Sequence, residues 1–125
     1  MDLSIKILIV DDFATMRRIL KNILKQLGFV NISEADDGTT ALEQLKSGHF
    51  DLIISDWNMP KMTGLDLLKN VRSSDGLKDV PFLMVTAEAQ KQNVIDAVQA
   101  GVTNYVVKPF TAEAISEKLE KIFGK

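Results

Sequence analysis

The sequence predicts an α/β fold: a doubly wound, five-stranded parallel sheet with five helices, forming a single domain over residues 1–125. Three observations predict it. Short, unbroken apolar runs recur along the chain, each ending on a polar residue, and such runs suit strands covered on both faces. Between them lie stretches with apolar residues three and four apart, the spacing of an amphipathic helix. The two patterns alternate five times with short connections, which calls for crossover helices packed on both sides of a parallel sheet.

Ile7-Leu8-Ile9-Val10 is the first strand and stops at Asp11-Asp12. Met16, Ile19, Leu20, Ile23, Leu24 and Leu27 follow at helical spacing, with Arg17, Arg18, Lys21, Lys25 and Gln26 on other faces and Gly28 as the stop. Asn31-Ile32-Ser33-Glu34-Ala35 is shorter and more polar, as suits a sheet edge. Asp37-Gly38 reads as a turn, and Ala41, Leu42 and Leu45 belong to a second helix ending near Gly48. The third strand, Leu52-Ile53-Ile54-Ser55-Asp56, ends on an acid, and Pro60 marks the chain as having left regular structure. Thr63 is an N-cap with Asp66 three residues on, before a helix face of Leu65, Leu68 and Val71. Phe82-Leu83-Met84-Val85 is the fourth strand, ending at Thr86, and Val94, Ile95, Val98 and Gly101 outline the fourth helix. Tyr105-Val106-Val107 is the fifth strand, ending at Lys108-Pro109. Thr111 caps a last helix with Ile115, Leu119, Ile122 and Phe123 on one side. The strand order 2-1-3-4-5, flavodoxin-like, is adopted from known folds of this class because it puts the polar second strand at an edge.

A length of 125 residues allows one sizeable core and leaves no room for a second domain. Fifteen basic against seventeen acidic residues give a formal net charge of −2, without the basic excess of a nucleic-acid-binding domain. There is no cysteine, so disulfides and thiolate metal sites are excluded. No stretch approaches the roughly 20 apolar residues of a membrane span, and the acidic start Met1-Asp2 lacks the charge of a signal peptide. The expectation is a cytoplasmic protein with neither nucleic acid nor membrane as partner.

In a parallel sheet all strand C-termini share one rim, where open α/β sheets bind ligands. The residues at those exits are Asp11 and Asp12 from the first strand, Asp56 from the third, Thr86 from the fourth and Lys108 from the fifth. The second strand offers nothing comparable. Taken singly each has an ordinary explanation: a cap, a turn hydroxyl, a solvated lysine. Taken together they suit one reaction. Three carboxylates close together repel, and a hard divalent cation removes the conflict; Mg²⁺ takes oxygen ligands from one or two carboxylates and phosphate. With an ammonium and a hydroxyl beside it, such a site stabilises a phosphoryl group in transfer, and Asp56 is the central acid and candidate nucleophile.

The run Val10-Asp11-Asp12, then Asp56-x-x-Met59-Pro60, Thr86-Ala87 and Lys108-Pro109-Phe110, resembles the receiver domain of bacterial response regulators over the whole chain. Asp56-Trp57-Asn58-Met59-Pro60, Thr86-Ala87-Glu88-Ala89 and the stretch 104–110, with Arg17-Arg18 after Phe13-Ala14-Thr15-Met16, are most similar to the chemotaxis branch of that family. The resemblance implies that Asp56 accepts a phosphoryl group from a histidine kinase and that Asp11, Asp12, Asp56 and the backbone carbonyl of Asn58 hold Mg²⁺. It implies that Lys108 pairs with the phosphate, that a cis bond precedes Pro109, and that Asn58 and Glu88 tune dephosphorylation. It also implies a switch in which Thr86 turns toward the phosphate and Tyr105 swings inward, changing a face that includes Lys91, Val94, Ile95, Tyr105, Val107 and Lys118.

The chain ends soon after Lys108, so the expectation is a monomeric receiver with no output or DNA-binding domain. The resemblance then implies that the phosphorylated surface binds a flagellar motor switch protein, with the kinase and possible phosphatase partners sharing parts of it. A stand-alone receiver in a phosphorelay, or a phosphate sink, would carry the same site. A haloacid-dehalogenase-type phosphatase would need a second acid two residues past the nucleophile, where Asn58 stands. An FMN carrier would need a hydroxyl- and glycine-rich loop where Asp11-Asp12-Phe13-Ala14-Thr15 stands.

Overall fold

A computed structural model describes residues 2–87 and 90–124. The elements run β1 (Lys6–Val10), α1 (Ala14–Gln26), β2 (Asn31–Ala35), α2 (Gly38–Ser47), β3 (Leu52–Asp56), α3 (Gly64–Ser73), β4 (Phe82–Thr86), α4 (Lys91–Ala100), β5 (Asn104–Val107) and α5 (Ala112–Phe123). All strand pairs are parallel, in the order β2-β1-β3-β4-β5. The expected architecture and strand order both hold.

The continuous apolar runs are explained by two separate cores. On one face Ile7, Ile9, Leu52, Ile54, Leu83, Val85 and Val106 meet Leu20 and Leu24 of α1 and Ile115 and Leu119 of α5. On the other, Leu8, Val10, Ile53, Phe82 and Met84 meet Ala41 and Leu45 of α2 and Leu67, Leu68 and Val71 of α3. Successive strand residues point to opposite faces, so a strand that serves both cores leaves little room for polar residues before its C-terminal end, where Ser55, Asp56 and Thr86 stand. Polarity therefore concentrates at the strand ends, where the candidate site residues stand. No helix among the described residues is long and apolar enough to cross a membrane.

Two local readings are sharpened. Asp37-Gly38 is a helix start rather than a free turn: Asp37 is the N-cap of α2 and its carboxylate accepts the Thr39 and Thr40 amide N–H groups. The side chain of Thr40 accepts in return from the Asp37 N–H, at 3.3 Å. The apolar residues of α4 are not core residues: only Ala97 is buried, while Ile95 and Val98 are exposed. Thr63 and Thr111 cap α3 and α5 as expected, accepting from the N–H of Asp66 and Ala114.

Candidate functional site

The C-terminal rim of the sheet gathers the expected residues. Asp56 is the last residue of β3, in register with Val85 of β4, and the next N–H, that of Trp57, continues the ladder by donating to the Val85 carbonyl at 2.9 Å. Asp56 is therefore held against the backbone of β4 and is buried. Asp11 follows β1; its N–H donates to the Ala35 carbonyl of β2 at 3.2 Å, and it is buried too. Asp12 is exposed. One oxygen from each of Asp11, Asp12 and Asp56 lies within 4.8 Å of the others.

Lys108 is fixed by its own backbone, since its N–H donates to the Thr86 carbonyl at 2.8 Å. Its Nζ reaches 3.0 Å from Asp56 Oδ1 and 4.0 Å from Asp11 Oδ2. The Lys108–Pro109 peptide bond is cis.

Asp11 shows what the cluster lacks. Its Oδ1 accepts the Phe13 N–H at 2.9 Å, but its Oδ2 is buried and has no hydrogen-bond partner among the described residues. Burial, offset in part by the Phe13 N–H and reinforced by the Asp56 charge, pushes the Asp11 carboxyl up to about 6. A buried carboxylate oxygen without a donor is costly. A hard cation with oxygen ligands removes that cost, so the acidic cluster fits Mg²⁺.

Thr86 ends β4 and is buried. With Trp57, Met84, Asn93, Val94, Ala97 and Tyr105 it lines a small apolar cavity. Tyr105 is half-buried on β5, and Lys118 Nζ of α5 lies 5.5 Å from its ring centroid. Lys91, Ile95 and Val107 are exposed on the same side, with Val94 half-buried. Asn58 is exposed in the loop after β3. Glu88 lies outside the described residues. Wider grooves lie at the opposite rim around His49 and Phe50; they are remote from the carboxylates, and His49 there is exposed and bonded to Asp51 at 2.9 Å.

Some participants were not singled out from the sequence. Arg17, which the sequence places on an outer helix face and in the family resemblance but gives no role at the site, donates from Nη1 to the Asp11 carbonyl at 2.6 Å and from Nε to Glu34 at 3.2 Å. Gly64 lies flat against the end of β3, where any Cβ would meet the Asp56 carbonyl oxygen, Met84 Sδ at 2.8 Å and Trp57 Cα at 2.9 Å. Its place straight after the Thr63 cap was the only available signal. Val98, seen only as a helix residue, is 61% exposed.

Rim carboxylates, a facing ammonium and a doubly wound sheet are the features of a receiver domain, and a family model agrees. The response regulator receiver domain model matches residues 7–120, and the chain belongs to that family. Within it the chain is of the chemotaxis CheY type. It is 65% identical over 120 residues to chemotaxis protein CheY of Pseudomonas aeruginosa, covering 96% of this chain and 97% of that one. It is 61% identical over 122 residues to chemotaxis protein CheY-3 of Vibrio cholerae, covering 98% and 94%. The solved structure of Vibrio cholerae chemotaxis protein CheY4 superposes with a TM-score of 0.90 at 35% identity, covering 96% and 99%.

Proposed function

We propose that this receiver takes a phosphoryl group onto Asp56 from a phosphohistidine of a chemotaxis histidine kinase, and then binds a flagellar motor switch protein in the cytoplasm. The observation that carries this is the buried strand-end carboxylate of Asp56, 3.0 Å from the Lys108 ammonium and within 4.8 Å of Asp11 and Asp12 oxygens. An Asp56 carboxylate oxygen attacks phosphorus; the P–O bond forms as the P–N bond breaks to a kinase phosphoimidazolium already protonated on its other ring nitrogen, so the ring takes the bonding pair and leaves as neutral histidine, with an acyl phosphate on Asp56. Asp11, Asp12, Asp56 and the Asn58 carbonyl would hold Mg²⁺, which supplies charge neutralisation for the incoming phosphoryl oxygens. Lys108, anchored through its N–H to the Thr86 carbonyl, meets those oxygens with a fixed positive charge.

Output follows from the same geometry. Thr86 turns its hydroxyl to the phosphoryl group, and the space it leaves, beside the small cavity that Thr86 and Tyr105 both line, accepts the Tyr105 ring. That changes the face carrying Lys91, Ile95, Val98, Val107 and Lys118, a population shift between two states of one fold. Asn58, exposed two residues past Asp56, and Glu88, two past Thr86, set the lifetime of the acyl phosphate by controlling how water approaches it. The receiver surface is itself the output, which fits relatives of similar length bearing the chemotaxis name.

The test is incubation with acetyl phosphate with and without Mg²⁺, following fluorescence of Trp57, the one tryptophan and the neighbour of Asp56. A response that requires Mg²⁺ and disappears in Asp56→Asn is expected. A response that persists without Mg²⁺ or in Asp56→Asn would overturn the mechanism.

A further inference from the structure

The edge strand β2 enters the site indirectly. Glu34, on β2, accepts from Arg17 Nε at 3.2 Å and lies 3.4 Å from Lys21 Nζ. Its backbone carbonyl is held as well, by Gln44 of α2 at 2.8 Å. Arg17 spends its other arm on the Asp11 carbonyl, at 2.6 Å. That carbonyl belongs to the Asp11–Asp12 peptide, whose atoms lie in one plane. Holding the oxygen therefore sets the orientation of the plane from which the Asp12 side chain departs. On the Asp11 side, the N–H is tied to Ala35 and Oδ1 to the Phe13 N–H, so Oδ2 is left facing the cluster.

We propose that Arg17, oriented by Glu34, is a positioning residue for the cation-binding acids: it fixes the Asp11–Asp12 peptide so that both carboxylates converge on Asp56. An exposed Arg–Glu pair would contribute little on its own. Here the guanidinium side chain is only 19% exposed, and it makes a short charge-assisted bond to the backbone between two proposed ligands. The fork of Arg suits this double duty, since one planar group bonds the carboxylate and the carbonyl together.

The sign of the effect separates positioning from plain electrostatics. Arg17 is a cation near a cation site, so removing its charge favours Mg²⁺ binding by Coulomb's law. Positioning demands the opposite: loss of affinity when Arg17 is removed. This inference rests on the phosphoacceptor reading, because the acids are taken to bind Mg²⁺ for that reaction.

The experiment is a Mg²⁺ titration of Trp57 fluorescence without phosphodonor, on the wild type, Arg17→Ala, Glu34→Gln, the double variant and Arg18→Ala, well below each thermal midpoint. Arg18 is an exposed neighbour of equal charge and serves as the control. Arg17→Ala is expected to bind Mg²⁺ about tenfold more weakly, as for other groups that orient metal ligands. Glu34→Gln, a mild change on an edge strand, should lose affinity in the same direction. The double variant should match Arg17→Ala within about twofold, because both changes break one chain of contacts. Arg18→Ala should bind no more weakly than the wild type. Unchanged or tighter binding in Arg17→Ala, or losses from Arg17 and Glu34 that simply add, would overturn the positioning role alone. A wild type indifferent to Mg²⁺ would overturn the phosphoacceptor reading, and this role with it.

Discussion

Asp11 holds a carboxylate that the fold has almost wholly removed from water, with one oxygen satisfied by the Phe13 N–H and the other unsatisfied. Burial is the main cause of its rise from 3.8 to about 6, so without a cation the folded chain binds this proton more tightly than the unfolded chain does. The associated stability is present below the unfolded pKa near 3.8 and is lost as pH rises through about 6. Asp11→Asn is therefore expected to stabilise the Mg²⁺-free protein at pH 7.5 by about 2 kcal/mol, read from urea melts, and to gain little at pH 4. Protons and Mg²⁺ compete for the same oxygen, so Mg²⁺ affinity should fall as pH is lowered through about 6, in a titration of Trp57 fluorescence. The identities of Asp11, Asp12, Asp56, Thr86 and Lys108 were legible because each stands where an apolar run stops. The proton affinity of Asp11 was not, because it depends on which atoms from other elements lie beside Oδ2.

Gly64 joins α3 to the strand that carries Asp56. Its N–H donates to the Trp57 carbonyl at 2.8 Å, and its α-carbon lies so close to the end of β3 that a methyl group would press on the Asp56 carbonyl oxygen. Gly64→Ala is expected to destabilise the protein by about 1–3 kcal/mol, the usual range for overpacking. It should also slow acetyl-phosphate labelling of Asp56, because relief of the clash displaces the backbone of the proposed phosphoacceptor. Normal stability with normal labelling would show that the contact relaxes at no cost. The two N-caps Thr63 and Thr111 were read from local chemistry, since a hydroxyl three residues before an N–H is a local relation. Asp37-Gly38 reads from the sequence as a turn because the same dipeptide serves both turns and helix starts. The Thr39 and Thr40 N–H groups, together with Met62 packed over Gly38, decide in favour of the helix.

At the scale of the molecule, the proposed chemistry and the proposed output face occupy different places on one sheet. The acids lie at the C-terminal rim, while Ile95 at 37%, Val98 at 61% and Val107 at 36% exposure form an apolar strip on the α4–β5 side. Val98→Asp removes nothing from either core, so stability should change by less than about 0.5 kcal/mol. Acetyl-phosphate labelling of Asp56 should be unaffected, while affinity of the phosphorylated protein for a motor switch peptide should drop; unchanged affinity would remove Val98 from the output face. Apolar periodicity alone could not place this strip outside. Val94, Ile95 and Val98 have helical spacing, but α4 buries only Ala97 against the sheet.

By itself the sequence determined the alternation of elements, the parallel sheet and the set of residues at its rim, because these follow from local periodicity and from where polarity interrupts it. The strand order had to be adopted from related folds, and the sheet bears it out. Tertiary structure alone decided the unsatisfied Oδ2 of Asp11, the 3.0 Å approach of Lys108 to Asp56, the exposure of α4 and the contacts of Arg17 with Glu34 and the Asp11 carbonyl. Apart from the Arg17–Asp11 contact, which spans the β1–α1 connection, these depend on distances between residues far apart in the chain, set by how two cores pack against one sheet. The edge strand shows the limit most clearly: Asp36 and Asp37, which follow β2, stand outside the carboxylate cluster, yet Glu34 within the strand reaches the site through a guanidinium on a neighbouring helix.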